Sequence, residues 1–360
     1  MVLLRILMRG TGQLAAILII TFALAEFSFR IFHHFYPSFI FHDSSYNRYR
    51  GRPTSSEFSF RLNSLGFKDV EFQLRKEAGT YRILALGDSF AFGVVPYQHN
   101  YLTLLEQYLD RKDRRVEVLN MGITGIGPEQ YRALLVNEGL QYRPDMVLVS
   151  LFTGNDLTET LPPAPNPFEY SAVATFFKYL IDVHTKFEGR LIDAASTYDD
   201  AGRTFTDEAF LKIEAQRSEI FLKKRPHQQA FEGAMSQLVK IKEICDERGI
   251  ALRILVIPDE LQVNPTLRQK VIVSLRANGG DFDFRLPNEW LGEQFRAHQM
   301  RYLDLVEEFS LASAQVNLYK LNDTHWNIAG NERAARALAG YLSDSLDELV
   351  PSQDSTAMFR

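Results

Sequence analysis

One cysteine in 360 residues, Cys245, leaves no intramolecular disulfide framework and no cysteine-built metal cluster to consider. It falls in a helical pattern with Ile241 and Ile244 and reads as core. An excess of positive charge is also lacking. The net charge is −5 with a pI near 6.0, and the one basic block, Arg111-Lys112-Asp113-Arg114-Arg115, is short and interrupted. Non-specific nucleic-acid binding needs a basic face, so no nucleic-acid partner is expected. No ligand spacing for a metal is present around Glu159 or Asp259-Glu260, the acidic residues that invite that reading. What remains is a chain 46% hydrophobic and 24% charged, the mix of a globular protein with a proper core. Its length suits one large domain or two ordinary ones.

The first forty residues depart from that mix. Arg5 and Arg9 precede an uncharged run from Leu14 to Ala25, followed by Glu26 and an aromatic-rich stretch to Phe32. The uncharged part is about a dozen residues, short for a full span, and extending it to Phe32 gives about nineteen. Ala23-Leu24-Ala25 fits a small-x-small cleavage site, which makes a removed signal peptide, with secretion, one reading. An uncleaved anchor is the preferred one, because Phe27, Phe29, Phe32, Phe35 and Tyr36 continue past that cut and suit a lipid–water interface. Both readings put the basic start in the cytoplasm and the rest outside it, periplasmic or extracellular. The expected organisation is therefore 1–36 anchor or signal, 37–80 connector and lead-in, 81–350 catalytic domain, and 351–360 tail.

From residue 81 the pattern alternates. Arg82 to Leu86 is an apolar run ending at Gly87, as a strand buried on both faces would be. Further strands are expected at 115–120, 145–151, 250–257 and about 300–305, with helices at 101–109, 129–140, 229–248 and 331–349. Strands alternating with helices make a parallel sheet in an α/β domain, with the site at the strands' carboxyl ends. Residues 157–225 interrupt the alternation with Leu161-Pro-Pro-Ala-Pro-Asn-Pro167 and an aromatic, charged stretch. This insertion is expected either to form a lid over the site or to be a peripheral helical elaboration.

Two short stretches carry the chemistry. Gly87-Asp88-Ser89-Phe90 sets a serine on a strand-to-helix turn, with the amphipathic run Tyr101 to Leu109 supplying the helix. Unpaired N–H groups at a helix start favour the oxyanion of an acyl transfer. The G-x-S-x-G elbow is not matched, because Ala91 stands at its second glycine. Near the other end, Asp323-Thr324-His325-Trp326 sets a histidine in a loop before a helix, with Asp323 in reach of Nδ1. His33, His34, His42, His99, His184, His227 and His298 have no comparable setting.

Gly87-Asp88-Ser89-Phe90, Asn120-Met-Gly122, Gly154-Asn155-Asp156 and Asp323-Thr324-His325, in that order, resemble the four blocks of the SGNH (GDSL-type) hydrolases. The resemblance spans residues 82 to about 345 and implies a flavodoxin-like sheet and ester chemistry through a serine, without a cofactor. It implies Ser89 as nucleophile and His325 as base. The oxyanion donors would be the N–H groups of Ser89 and Gly122 and the amide of Asn155. Many members carry the acid three residues before the histidine, where this chain has Asn322, so Asp323 is assigned that role. The Asp-x-His-Trp-Asn-x-x-Gly tail resembles the subset anchored in bacterial envelopes, polysaccharide acetylation enzymes among them. An acylated small molecule or carbohydrate is the implied substrate, and an O-acyl ester, acetyl foremost, the implied linkage. A serine esterase is thus expected, with an O-acetyltransferase and a non-catalytic glycan-binding protein as the alternatives.

Overall fold

Eight consecutive buried residues, Thr80–Gly87, form a strand with no inside–outside alternation, because both of its faces are covered. The computed structural model describes residues 2–35, 50–51, 53–57, 60–111, 114–158, 170–186 and 198–349. In chain order the helix α1 (Val2–Phe35) comes first, and the sheet begins with β1 (Thr80–Gly87). Then follow α2 (Ser89–Phe92), α3 (Tyr101–Leu109), β2 (Arg115–Gly122), α4 (Pro128–Asn137) and β3 (Met146–Phe152). Next are α5 (Ala172–Lys186), α6 (Asp207–Arg217), α7 (Gln228–Glu247) and β4 (Ala251–Ile257). The chain continues through α8 (Glu260–Val263), α9 (Pro265–Ser274), α10 (Leu286–Ala297), β5 (Tyr302–Asp304), α11 (Val306–Ser313) and α12 (Ile328–Leu349).

The five strands pair in the order β2-β1-β3-β4-β5, every pair parallel. In strand numbers this is 2-1-3-4-5, the flavodoxin-like winding, in which ligands meet the carboxyl ends beside β1 and β3. The expected fold class is the observed one. Register brings Gly87 opposite both Gly122 and Ser150, so three strand ends meet at one level. On one face Ile83, Ala85 and Leu148 pack with Tyr101, Leu102 and Leu105 of α3, Phe309 of α11 and Leu338, Leu342 and Leu346 of α12. Burying side chains of this size contributes about 1.5–3 kcal/mol each. Helices α4 and α7 pack together. Cys245 is buried in α7, as its pattern indicates.

Two boundaries move. Helix α4 stops at Asn137 and a tight turn, Gly139–Tyr142, replaces its expected last turn. A Cβ at Gly139 would lie 2.5 Å from Leu84 Cδ2, so the chain is pressed onto β1 there. The serine's helix also differs from expectation. Ser89 opens its own four-residue helix, α2, which ends at Gly93 with φ of 77°, and α3 starts afresh at a second cap, Asn100.

The chain divides into two compact units, one holding α1 and α5, the other the sheet and its remaining helices. The insertion expected over 157–225 is thereby split, α5 going with α1 and α6 with the sheet. Its proline-rich start, the connector's residues 37–49, 52 and 58–59, and the tail at 351–360 lie outside the described residues. Within α1, Thr11–Phe32 is 22 residues with a mean hydropathy of 2.0, long and apolar enough to cross a membrane. A signal sequence has the same length and composition.

Candidate active site

The serine turn is built by short-range contacts. A Cβ at Gly87 would lie 2.7 Å from Ala91 Cβ, so glycine lets the chain fold back directly above β1. Asp88 caps α2, its Oδ1 accepting the Phe90 N–H at 2.9 Å. From β2, Asn120 Nδ2 donates to Ala91 O at 2.8 Å, and Asn100 Nδ2 donates to the same oxygen at 3.0 Å. Gly122, at the end of β2, packs against the same turn. Its absent Cβ would meet Phe92 N at 2.4 Å and Ala91 C at 2.6 Å, so the room is filled by the backbone of α2. Its N–H is given to Asn120 Oδ1 at 2.9 Å.

Behind this turn lies a buried buttress. Asp69 accepts the Asn120 N–H at 2.8 Å and the Tyr97 hydroxyl at 2.9 Å. Burial pushes its carboxyl up to about 7 against those hydrogen bonds. Lys68 Nζ donates to Gly93 O and Val95 O, both at 2.7 Å, fixing the exit from α2. At the end of β3, Asp156 Oδ2 accepts the Phe152 N–H and the Tyr131 hydroxyl, each at 2.9 Å. The Asn155 carbonyl accepts from Thr158 N and Oγ1 at 2.8 and 2.9 Å. That strand end is thus pinned on both sides of the Asn155 side chain.

The histidine arrives from 236 residues away in sequence: its Nε2 lies 2.8 Å from Ser89 Oγ. On the other side of the ring Nδ1 lies 2.6 Å from Asp323 Oδ1, which also accepts the His325 N–H at 3.0 Å. With Nδ1 donating to Asp323, Nε2 is left as the acceptor for the serine hydroxyl, a tautomer assigned from these partners. Burial alone would push the Asp323 carboxyl up. The charge and hydrogen bonds of His325 outweigh it and hold the group below its ordinary value. The imidazole side chain keeps 20% exposure, so a substrate can reach it. Phe90 backs the ring at 5.1 Å and itself meets Trp326 at 5.0 Å.

Asn322, at the position that often carries the acid, is turned elsewhere. Its φ is 50°, and its amide donates to Phe205 O at 3.0 Å and Asp207 Oδ1 at 2.7 Å. The carboxylate that meets the ring is the one two residues before it.

Sequence reasoning missed what holds this loop. Residues 198–217, in the expected insertion, bond to it at almost every step. Thr204 N and Phe205 N donate to Leu321 O and Asn322 O, both at 3.2 Å. Lys320 Nζ donates to Asp199 O and Gly202 O at 2.6 Å, and Asp200 Oδ1 accepts the Ile328 N–H at 3.0 Å. Thr324, between acid and base, donates to Glu214 Oε1 at 3.0 Å and is also held by the Arg217 guanidinium. Burial, then the neighbouring Asp259, pushes the Glu214 carboxyl well above its ordinary range, while Arg217 pulls the other way. A glutamate and an arginine three apart on a polar helix read as surface, and nothing in their spacing marks the fully buried Glu214. The insertion's second half thus packs on the histidine loop and holds it.

Among the described residues no group of three His, Cys, Asp or Glu side chains is arranged to hold a metal ion; Glu159 lies outside them. The cavity lined by Lys76, Tyr81, Asp145 and Ala251 opens at the amino ends of β1, β3 and β4, away from Ser89. What the Ser89–His325–Asp323 arrangement can do is take a hydroxyl proton as an oxygen nucleophile attacks, and hold the resulting imidazolium beside a carboxylate.

Residues 216–358 match the family described as ALGX, "SGNH hydrolase-like domain, acetyltransferase AlgX". The matched stretch includes Asp323 and His325 and leaves Ser89, Gly122 and Asn155 before it. No curated protein matches. Solved structures that align include the acetyl xylan esterase AlAXEase, at 14% identity over 72% of this chain and 99% of that one, TM-score 0.41. The lipase/acylhydrolase from Enterococcus faecalis aligns at 15% identity over 74% and 96%, TM-score 0.37. TesA aligns at 12% identity over 75% and 99%, TM-score 0.41. The resemblance to the SGNH hydrolase superfamily, carried by four ordered blocks, holds in the family match and in the 2-1-3-4-5 parallel sheet.

Proposed function

We propose that this chain is a serine esterase-type enzyme that cleaves an O-acyl ester, acetyl in the simplest case, through an acyl-enzyme. The observation that carries this reading is the continuous line from Ser89 Oγ through His325 to Asp323, at 2.8 and 2.6 Å. Ser89 Oγ attacks the ester carbonyl carbon as its proton passes to His325 Nε2. The carbonyl oxygen becomes an oxyanion, with the Ser89 N–H and the Asn155 amide as donors. Gly122 is the third donor, once its N–H is released from Asn120. Collapse breaks the bond to the alcohol oxygen, which leaves with the proton from His325. Water then attacks the acyl-enzyme by the same route, releasing the acid and restoring Ser89. Preorganised donors of this kind are each worth about 10²–10³ in turnover.

In this reading residues 81–350 do the chemistry, 37–80 lead into them, and 1–36 hold them at the cytoplasmic membrane with the catalytic domain outside. An acylated carbohydrate is the substrate class. A second reading is favoured by the family match, whose description names an acetyltransferase. The acyl group would then pass from Ser89 to a sugar hydroxyl in place of water, on an envelope or secreted polysaccharide. The two part at the acyl-enzyme. An acceptor sugar that suppresses acetate release while itself gaining acetyl identifies a transferase, and unchanged acetate release a hydrolase. The test of the shared chemistry is Ser89→Ala. Hydrolysis of a chromogenic acetyl ester should vanish while the melting temperature stays where it was, and undiminished turnover would refute the assignment.

A further inference from the structure

The apolar span of α1 contains a carboxylate, Glu26, and the structure supplies it with a specific partner. Its Oε1 accepts the Ala172 N–H at 2.9 Å, and its Oε2 accepts the Val173 N–H at 3.0 Å and the Ser171 hydroxyl at 2.9 Å. Arg30, one turn on, donates to Glu26 at 2.7 Å and to Tyr170 O at 2.7 Å. Glu26 thus caps α5 from a different helix, taking N–H groups that no intrahelical carbonyl can reach. Further along, Phe29 stacks on Phe176 with ring centroids 4.8 Å apart. The two contacts advance in the same sense along both helices, so α5 runs beside the end of the span.

The side of α5 not turned to α1 opens Phe177, Leu180 and Ile181, which are 59%, 45% and 63% exposed, with the exposed Lys178 at its edge. On α1 the exposed Leu24, Phe27 and Ile31 share one side of the helix. We infer that α5 is an interfacial membrane helix, its Phe177–Ile181 face immersed in the lipid layer at the outer end of the α1 span. The inference rests on reading α1 as a retained anchor. Twenty-two residues at about 1.5 Å each make about 33 Å, enough to cross a hydrocarbon core of about 30 Å. Glu26 then stands about 9 Å inside the Phe32 end, within the depth of about 5–10 Å at which amphipathic helices lie in the headgroup–acyl boundary. Its charge is tolerable there because α5 satisfies it, as ionisable groups within a span require. The fifteen residues of α5 reach only about 22 Å, too short to cross on their own. The register of these contacts sets Phe177, Leu180 and Ile181 near the level of Phe32, so an apolar face held beside the outer end of the span meets the headgroup–acyl boundary.

The test uses the full chain in phosphatidylcholine–phosphatidylglycerol vesicles whose lipids carry bromine near the top of the acyl chains in one set and near their ends in another. Ile181→Trp adds a reporter on α5 and Phe22→Trp one on α1; the native Trp290 and Trp326 are buried. The tryptophan at 181 should lose emission to bromine near the top of the chains, and that at 22, about 15 Å inside the Phe32 end, to bromine near their ends. In an additional Glu26→Ala background the loss at position 181 should shrink while that at position 22 persists. Quenching at 22 but not at 181 overturns the inference, leaves the anchor standing, and hands the Phe177–Ile181 face to a protein partner. Quenching at neither position overturns the anchor reading and this inference with it.

Discussion

The serine and the histidine meet at 2.8 Å, yet the two sides of that contact are built in opposite ways. Ser89 belongs to the sheet. It follows a fully buried strand by two residues, and its turn is capped by Asp88 and tied to β2 through Asn120. His325 belongs to a loop outside the sheet, and what fixes it is the segment 198–217, through backbone pairing and the Glu214–Thr324 bond. In the proposed reading the nucleophile is therefore as rigid as the fold, and the base only as well placed as its cradle. In such a division, activity can be lost by loosening one loop while the domain stays folded.

The largest effect that sharpens this contrast is expected at Asp323→Asn. An amide beside Nδ1 can hold the imidazole in the wrong tautomer, and turnover should fall by about 10³–10⁴ with the serine turn unchanged. Comparing kcat with reactivity towards a phosphonate probe checks it, and near-normal turnover would return the acid's role to another group. A smaller effect is expected at Thr324→Val, which keeps the shape but removes the hydroxyl held by Glu214 and Arg217. There kcat should fall about 10-fold with KM little changed, because the loop shifts without losing substrate contacts. Equal losses in both constants would mean that the cradle binds substrate.

The smallest concerns pH. Burial pushes the Glu260 carboxyl up to about 7, with Asp259 and Asp323 adding to it and the Asn264 amide opposing. A carboxyl raised on folding keeps its proton in the folded state. Its contribution to stability is thus complete at low pH and is lost as pH climbs from about 4 towards about 7. Glu260→Gln, which can still accept from Asn264, should flatten the fall in melting temperature over that window. Asp69, raised to about 7 by burial, should leave part of the slope in place. An identical slope in the variant would remove Glu260 from the account.

Much of this was legible in the sequence. The apolar runs ending in Gly87, Gly122 and Asn155 gave the strands and their carboxyl ends, because a strand covered on both faces leaves a mark of composition. Ser89, His325 and Asp323 were legible through residue types beside turns. Three things were not. The helix opened by Ser89 was placed too late, because four residues are too few to carry a period. The packing of Gly122 against α2 could not be read, because the close approach of that helix is a tertiary fact. The cradle of Glu214 and Arg217 could not be read, since burial of a charged pair depends on what packs over it.

The most direct test of the central claim, that a serine hydroxyl activated by a distant histidine does the chemistry, is labelling with a serine-directed phosphonate followed by mapping of the modified peptide. The account predicts a single adduct on Ser89, lost in His325→Ala although that variant remains folded. An adduct on another residue, or equal labelling without the imidazole, would contradict it.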